Sequence, residues 1–294
     1  MEKYSIFHIE GGLGKHIAAT AVAKTIKNNH TDRKLIVVCA YPEVFLNLSF
    51  VDRVYRVGST QYFYEDFIKD KDSLIFKHEP YFTTEHINGT LPLIENWCNL
   101  YGLNYLGEKP EVNFNLRQEM VYSKKWSREK PILLIQTNGG QLNDQPYPYS
   151  WTRDMPKPLA QAIVNQYRDE YHIIQICRNE MNFLEGVEVQ HESMGNLELL
   201  YLLKMSSKRL LIDSCLQHAA TALKLPSTVL WVATNPTLFG YDLHTNIKAN
   251  IPNTIPLPDS YLFDYNFHGA LYECPVFEGD ILFDINKILE SLNN

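Results

Sequence analysis

Apolar and polar positions follow two different spacings along the first part of the chain. Tyr4–Ile9 and Leu35–Cys39 are short apolar runs between polar residues, which is typical of parallel strands buried on both faces. Within His16–Lys27, apolar residues recur at every fourth position, which predicts a helix. This order predicts a βαβ unit, followed by a strand at Ser73–Phe76 and a helix at Leu91–Tyr101.

A second series of the same kind follows the polar stretch Arg117–Lys130, which we interpret as a charged linker. A last helix at Ile281–Leu292 fits against either series, and Pro252–Pro275 is predicted to be mostly loop. The alternation predicts an α/β protein with two Rossmann-like domains, residues 1–125 and 126–294, whose parallel sheets face each other across a cleft. The predicted elements of the second series are strands at Ile132–Gln136, His172–Cys177, Leu210–Asp213 and Thr228–Val232, and helices at Leu159–Tyr167, Leu197–Met205 and Gln217–Leu223.

Composition narrows the function classes. Of 294 residues, 45% are hydrophobic and 21% are charged, which excludes a disordered or fibrous chain. A net charge of -7 disfavours a surface dedicated to nucleic acid or anionic membrane. Five scattered cysteines favour a reducing compartment, and we expect a cytoplasmic protein. The N-terminus enters the first strand directly and no apolar run reaches ~18 residues, so we expect neither a signal peptide nor a transmembrane segment.

The first candidate site is the glycine cluster Gly11–Gly14, between a predicted strand and a predicted helix. Such a turn lets a ligand approach the backbone, and the helix N-terminus favours anions. Ile9 and His16 break the P-loop pattern, and Ile17 breaks the dinucleotide fingerprint. The alternative is a tight turn that only joins two elements.

The second candidate site begins where a predicted strand ends at Asp213. Ser214 is suited to cap the next helix, whose free N–H groups would hold a diphosphate. His218, in the first helical turn, is placed to face the same anion. Simple capping and a surface histidine are the alternatives.

These segments resemble one known family in order along most of the chain. Asp213–Ala220 resembles the D-[ST]-G-x-x-H-x-A motif of the heptosyltransferase-like glycosyltransferases of family 9. Gly11–Lys27 is similar to that family's opening turn and helix. Tyr41–Glu43 together with Phe50–Val54 resembles the family's "P-E … P-x-V-D-x-V" stretch. Ala222–Pro226 is similar to its "A-L-G-x-P" segment, and the Asn235–Thr237 turn follows as in the family.

The resemblance implies a GT-B-type fold and an inverting, metal-independent transferase without a cofactor. The N-terminal domain would take a saccharide or glycoconjugate acceptor, and the C-terminal domain would bind a nucleotide-diphospho-sugar. Carried over by position, Asp213, Ser214, Cys215 and His218 would contact the donor, together with the turn glycines Gly12 and Gly14. Cys215 stands where the family usually has glycine.

The catalytic base is the largest departure from the family. The family has an aspartate directly after the glycine equivalent to Gly14, whereas this chain has Lys15. A lysine is protonated at pH 7 unless its pKa is strongly depressed. Glu10 and His16 flank it and are the alternative bases, and we predict Glu10 ahead of His16.

The donor's phosphates and ribose have further candidates. Thr137 and Asn138 lie where the family has a Thr-rich turn, and no lysine of this chain aligns with the family's phosphate-pairing lysine. Arg153 and Arg178 are the cations we substitute for it, and Glu180 is a candidate for a ribose hydroxyl. Surface ion pairs and a solvated loop acid are the alternatives.

The sequence predicts no metal site. Asp70-Lys71-Asp72 matches the DxD metal motif of another glycosyltransferase fold class, but it lies in a charged run that we expect to be a solvated loop. Two other functions stay open. The first is a non-catalytic GT-B-like protein that binds a nucleotide-sugar or glycan, which Lys15 supports. The second is a fucosyltransferase-like enzyme, because Gly11–Gly14 resembles a "GGLGN" opening, although that family's HxRxxD signature is missing.

Overall fold

The fold was analysed in a computed structural model, which describes residues 1–139, 153–177, 180–190, 194–232, 234–250 and 282–293. The described strands form two separate sheets, and every strand pair in both sheets is parallel. The predicted α/β class with two parallel sheets is therefore confirmed. Arg178 and the predicted loop Pro252–Pro275 lie outside the described residues.

The first sheet belongs to the N-terminal half. Its strands are β1 (Lys3–Ile9), β2 (Lys34–Cys39), β3 (Arg53–Arg56) and β4 (Asp72–Phe76). They lie in the order β3-β2-β1-β4. Phe7 and Ile9 of β1 are fully buried in the main core, whereas Tyr4 and Ile6 are buried in a smaller cluster on the opposite face. Burial on both faces explains why β1 and β2 read as continuous apolar runs.

Five helices accompany this sheet in the described residues: α1 (Leu13–Asn29), α2 (Phe63–Phe67), α3 (Thr84–Ile87), α4 (Leu93–Leu100) and α5 (Leu116–Lys125). Most of α1 is buried, including an uninterrupted run from His16 to Ala23. Small residues such as Ala18 and Ala19 let neighbouring elements approach α1 closely from several sides.

The second sheet contains β5 (Ile132–Gln136), β6 (His172–Ile176), β7 (Glu188–Gln190), β8 (Ser206–Ile212), β9 (Thr228–Trp231) and β10 (Thr245–Lys248). They lie in the order β10-β9-β8-β5-β6-β7. The helices of this half are α6 (Lys157–Tyr167), α7 (Asn196–Met205), α8 (Cys215–Ala222), α9 (Pro236–Phe239) and α10 (Ile285–Asn293).

The predicted linker is wrong in part, because α5 occupies much of it. Asn115 and Gln118 form a capping box, in which each side chain bonds to the other residue's backbone N–H. Tyr122 then packs on Tyr201 of α7, with 5.6 Å between the ring centres. Capping and this tertiary contact form a helix whose own residues are not deeply buried.

Three strands missed by the sequence prediction, β3, β7 and β10, lie at sheet edges. Their sequences, RVYR, EVQ and TNIK, are short and half polar because one side of each faces no neighbouring strand. The last helix, α10, packs against the second sheet: Ile288 and Leu292 are buried there with residues of α6 and β8.

The two halves touch along their helices. α1 packs against α8, and α5 packs against α7. Asn196 at the start of α7 donates a hydrogen bond of 2.7 Å to Glu43, in the loop after β2. The boundary between residues 125 and 126 stays a prediction. No helix in the described part of the chain is long and apolar enough to cross a membrane.

Candidate functional site

The two motifs singled out in the sequence lie against each other where the halves meet. Gly14 is in the first turn of α1. A Cβ atom placed on Gly14 would lie 3.1 Å from Cys215 Cα and 3.1 Å from His218 Cδ2. These atoms belong to the start of α8, so the absence of a side chain at Gly14 allows the two helix N-termini to approach this closely.

The glycines of the first turn have different roles. Gly11 has a φ of +96°, in the region that favours glycine, and a Cβ there would lie 2.7 Å from Lys15 Nζ. Gly12 is the N-cap of α1 in extended conformation, and no described atom lies within 4 Å of its Cβ position. Steric reasons therefore require glycine at Gly11 and Gly14, but not at Gly12.

Lys15 forms an ion pair that the sequence did not predict. Its Nζ donates to Glu79 Oε2 at 2.7 Å, and both side chains are mostly buried, with 18% and 25% exposed. The same Nζ lies 4.8 Å from the ring centre of Tyr81. Glu79 follows β4, the strand next to β1. A carboxylate soon after a parallel strand was the signal that could have identified it.

His16 is fully buried beside the glycine turn. Ala40 N–H donates to His16 Nε2 at 3.1 Å, so Nδ1 carries the proton and donates to Gly12 O at 2.9 Å. Burial lowers the pKa of His16. Both ring nitrogens thus hold the turn against the end of β2, and neither is open to an acceptor. This geometry does not fit the expectation that His16 is an alternative base.

Glu10 directly follows β1, and 63% of its side chain is exposed. Its Oε1 lies 3.7 Å from His8 Nε2. Burial lowers the pKa of His8, and the charge of Lys77 acts in the same direction. Glu10 is therefore open at the sheet edge where the sequence placed it, and its carboxylate lies 3.7 Å from an imidazole that is neutral at pH 7.

The second motif is buried. β8 ends at Ile212, Asp213 is 7% exposed, and α8 begins after Ser214 as N-cap. Among the described residues, the Ser214 side chain makes no capping hydrogen bond to α8, contrary to the expectation from sequence. The first N–H groups of a helix lack intrahelical acceptors, so this end of α8 is suited to an anion. Cys215, half-buried, contributes the backbone that meets Gly14.

Arg153 lies beside this buried turn. Burial raises the pKa of Asp213, and the positive charge of Arg153 opposes that rise. The Arg153 side chain passes close to Gly139, where a Cβ would lie 2.7 Å from Arg153 Cδ. One of the two cations predicted for the donor is therefore placed next to Asp213.

His218 is nearly buried, and its Nδ1 lies 2.7 Å from Tyr241 Oη. Burial lowers the pKa of His218 to about 3, and the nearby charges of His244 and Arg153 act in the same direction. The imidazole is therefore neutral at pH 7, and it is buried, unlike the surface histidine that was the alternative from sequence. Burial also raises the pKa of Tyr241, so its hydroxyl keeps its proton.

His244 extends this cluster. Its Nε2 lies 2.9 Å from Thr221 Oγ1 and 3.1 Å from Gln217 O. Burial lowers the pKa of His244 to about 4. Sequence reasoning missed both Tyr241 and His244, because they lie after α9 in a segment without a periodic pattern and only the fold brings them to α8.

Thr137 and Asn138 are buried and bonded to each other and to the protein around them. Asn138 Nδ2 donates to Asp154 Oδ2 at 2.8 Å, and Gln175 Nε2 donates to Thr137 Oγ1 at 2.8 Å. Cys177 Sγ lies 2.9 Å from Asn138 Oδ1. This network fixes the side chains of Thr137 and Asn138. Their polar atoms are bonded to the protein, whereas the sequence prediction had them facing a ligand.

Glu180 begins a short 3-10 helix, Glu180–Asn182, after β6 and is exposed. It is thus open to a ligand at the same end of the sheet as Thr137, while Arg178, its near neighbour, is not among the described residues.

The two aspartates of the DxD motif lie in different surroundings. Asp70 is exposed with a φ of 56°, but Asp72 begins β4 and accepts two hydrogen bonds of 2.8 Å from Arg33 Nη2. The expected solvated loop is therefore right for Asp70 and wrong for Asp72. Across the described residues, no group of three or more His, Cys, Asp or Glu side chains is arranged to hold a metal ion.

A cavity of about 520 Å³ opens where the halves meet. The start of α4 and Lys109 line it from the first half, and Tyr241, Asp242 and His218 line it from the second. Both polar and apolar groups therefore face it, and it extends from His218 toward the first domain.

No protein-family profile matches the sequence, and no curated protein matches it. Solved structures do match its fold. A glycosyl transferase of family 9 from Veillonella parvula matches with a TM-score of 0.68 at 11% identity, over 99% of this chain and 96% of that chain. ADP-heptose LPS heptosyltransferase II of E. coli gives a TM-score of 0.66 at 11% identity, over 100% and 98%.

A third structure is the iron-containing, dodecameric heptosyltransferase TibC of enterotoxigenic E. coli, solved with ADP-D-β-D-heptose. Its TM-score is 0.63 at 14% identity, over 100% of this chain and 76% of that chain. The chain has the GT-B fold. The structural resemblance to family 9 heptosyltransferases inferred from the motifs is thus confirmed over the full chain, and at these identities the likeness concerns the fold alone.

Within the GT-B fold, the contact between Gly14 and α8 joins the carboxyl ends of the two sheets. In open parallel α/β sheets, ligands bind outside the carboxyl ends of the strands. The glycine turn, Lys15 with Glu79, and the start of α8 all lie at this junction.

Proposed function

We propose that this protein is a glycosyltransferase that moves a hexose or heptose from a nucleotide-diphospho-sugar to a hydroxyl of a saccharide or glycoconjugate. The observation that carries this proposal is the contact of Gly14 with Cys215 and His218. It sets a charged, partly open turn against an anion-accepting helix start, so one ligand can touch both. The similar structures solved with ADP or ADP-heptose support a nucleotide-sugar donor.

In this proposal the C-terminal half binds the donor. The N–H groups at the start of α8 and the guanidinium of Arg153 receive the diphosphate, because both present positive charge beside a buried turn. Glu180 is the candidate for a ribose hydroxyl. The backbone of Gly12 and Gly14 lines the donor from the other side.

The acceptor lies on the N-terminal side. Its hydroxyl attacks the anomeric carbon as the diphosphate departs, which inverts that centre. Arg153 and α8 stabilise the charge on the leaving group without a metal ion. His16 braces the turn. Glu10 is the sequence-predicted base, and Lys15, which is ion-paired, does not take the proton itself.

The test is a thermal-unfolding series with nucleoside diphosphates and nucleotide-diphospho-sugars. A ligand at 100 times its dissociation constant adds about 2.7 kcal/mol to the free energy of unfolding. The matching nucleosides without phosphate are the control. If no diphosphate raises the melting temperature above the value with its nucleoside, the proposed donor site is wrong.

The absence of the family's aspartate at Lys15 favours a second function, nucleotide-sugar binding without transfer. Both functions predict stabilisation by the donor. Only the transferase releases free nucleoside diphosphate faster when an acceptor sugar is added, so that release separates the two. The fucosyltransferase-like alternative has no specific structural observation in its favour.

We further place the protein in a reducing compartment, the cytoplasm, with domains at 1–125 and 126–294. Among the described residues, Cys39, Cys98, Cys177 and Cys215 form no disulfide. Burial raises the pKa of Cys39 and Cys98 to about 12, so both stay protonated and inert.

A further inference from the structure

The carboxyl edge of the first sheet holds a second carboxylate besides Glu10. Phe7 of β1 pairs with Phe76 of β4 in parallel register, so both strands end at the same edge. Glu79 follows β4 by three residues and reaches back to Lys15 in the first turn of α1. It therefore lies beside Lys15, the residue that stands where the family has its aspartate, although it comes from another strand.

This carboxylate is held by one short ion pair, whose lysine is itself packed against two neighbours. Lys15 Nζ binds its Oε2 at 2.7 Å and lies over the ring of Tyr81 at 4.8 Å. The Lys15 side chain passes across Gly11, where a Cβ would lie 2.7 Å from Nζ. Any other residue at Gly11 would push the ammonium away, so the glycine turn is shaped around this ion pair.

Glu10 differs in each of these respects. Its side chain is 63% exposed against 25% for Glu79, and its nearest basic group, the neutral imidazole of His8, lies 3.7 Å away. A base in a displacement reaction has to point at the acceptor hydroxyl and be shielded from water. Glu79 is less exposed than Glu10 and has a partner at hydrogen-bond distance, so it is the better shielded and the more firmly oriented of the two carboxylates.

We infer that Glu79 is the catalytic base of the proposed transferase and that Lys15 is its positioning residue. The inference rests on the proposed function. A carboxylate has two acceptor oxygens, so the pair through Oε2 leaves Oε1 to accept the hydroxyl proton.

In the reaction, the acceptor oxygen forms a bond to the anomeric carbon. The bond from that carbon to the diphosphate oxygen breaks, and the nucleoside diphosphate leaves with the electron pair. The acceptor proton moves to Glu79 Oε1. In this chain the cation, Lys15, is thus on α1, and the carboxylate, Glu79, comes from the loop after β4.

The test measures release of nucleoside diphosphate from ADP-, GDP-, UDP- and dTDP-hexoses, with hexose and heptose methyl glycosides as acceptors. Glu79→Gln should lower turnover on the order of 10²–10⁴-fold and leave nucleoside-diphosphate affinity, by calorimetry, within about twofold. Glu10→Gln is the competing variant, and a loss of turnover in it that equals or exceeds the loss in Glu79→Gln would contradict the inference. Formate should partly restore turnover of Glu79→Ala, a rescue that a structural brace would not show.

Glu111→Gln is the matched control, since Glu111 pairs with Lys24, another α1 lysine in the same half. It should keep turnover within about twofold. Lys15→Met should lower turnover on the order of tenfold, and Lys15→Arg should recover part of it. If Glu79→Gln does not fold, Glu79→Asp, which retracts the charge by one methylene, should lower turnover at least about tenfold.

Two failures are distinguishable. If the unmodified protein releases no diphosphate from any donor, the proposed function fails and this inference falls with it. If the unmodified protein turns over and folded Glu79→Gln or Glu79→Asp does so within about threefold, the base is not Glu79. A loss in Glu10→Gln would then identify Glu10.

Discussion

The two turns that meet at the junction are built from opposite kinds of chemistry. The turn before α1 is charged and partly open, with the Lys15–Glu79 ion pair and the exposed Glu10. The turn before α8 is buried and its histidine is neutral: His218 and Asp213 are each only 7% exposed. A proton acceptor suits the first environment, and an anion that supplies its own charge suits the second.

This difference matters for how each turn would treat a substrate. A fixed carboxylate in a half-open turn can take a proton without changing the packing around it. Buried N–H groups, a neutral imidazole and the guanidinium of Arg153 offer hydrogen-bond donors to a diphosphate. The arriving negative charge would also raise the proton affinity of His218. Under the proposed function, the first half would therefore transfer the proton and the second half would stabilise the charge.

The largest effect should come from acid, because the strongest downward shifts in histidine pKa belong to His218 and to His244, which packs against the same helix. His218 and His244 have pKa values of about 3 and about 4 in the folded protein, against 6.5 ordinarily. Between these values the unfolded chain binds more protons, so stability is full above about pH 6.5 and falls as pH is lowered. Each histidine contributes a slope of up to about 1.4 kcal/mol per pH unit, measurable by urea unfolding from pH 7 to pH 4.

His244→Gln removes one of these titrating groups and should flatten that slope between pH 4 and 6.5. An equally steep loss of stability in the variant would show that the acid sensitivity arises elsewhere. The contrast between a turn with an ion pair and a turn with neutral histidines would then lose its main support.

The next largest effect tests the contact between the turns. Gly14→Val places methyl groups where Cys215 Cα and His218 Cδ2 lie 3.1 Å from a Cβ position. We expect a loss of about 1–3 kcal/mol in the free energy of unfolding and at least tenfold weaker nucleoside-diphosphate binding. Gly12→Ala is the matched control and should lower stability by no more than about 1 kcal/mol, as an N-cap change in open space. Equal behaviour of the two variants would contradict the contact.

The central strands were predictable from sequence because burial on both faces leaves an unbroken apolar run, as in β1, β2 and β5. The edge strands β3, β7 and β10 were not, since half of each is polar. The helix α5 depends on a capping box and on packing against α7. Its polar sequence, placed between two domains, favoured a linker instead.

The site was predictable in its parts but not in its connections. Glycines after β1 and Asp213 after β8 are local signals. The ion pair between Lys15 and Glu79 depends on the pairing of β4 with β1, which no local pattern encodes. Burial changed the chemistry of His218, because a histidine at a helix start looks exposed until Tyr241 is placed against it.

A smaller effect shows whether His218 binds the diphosphate as a neutral or as a charged imidazole. His218→Ala should weaken nucleoside-diphosphate binding by about 0.5–1.5 kcal/mol, the range of an uncharged hydrogen bond, in place of the roughly 1.5–3 kcal/mol of a charged one. Calorimetry at pH 8 measures this. Tyr241→Phe keeps the ring and removes the hydroxyl near Nδ1, so it reports on orientation alone. Unchanged affinity in folded His218→Ala would remove His218 from the donor site.

The smallest effect concerns Asp70 and Asp72, the only pair in the first half that matches a metal motif among the described residues. Asp72→Asn weakens the pair with Arg33 and should lower the free energy of unfolding by up to about 1 kcal/mol. Asp70→Asn should be nearly silent, because asparagine tolerates a φ of 56° well. Turnover should survive EDTA and both changes.

A manganese requirement that both substitutions abolish would contradict metal independence. It would also move the positive charge that balances the leaving group from the second turn, with Arg153 and α8, to the edge of the first sheet. The assignment of different roles to the two turns therefore depends on the expected survival of turnover in EDTA as much as on the larger effects. The decisive measurement is diphosphate release by the double variant with EDTA and with added manganese.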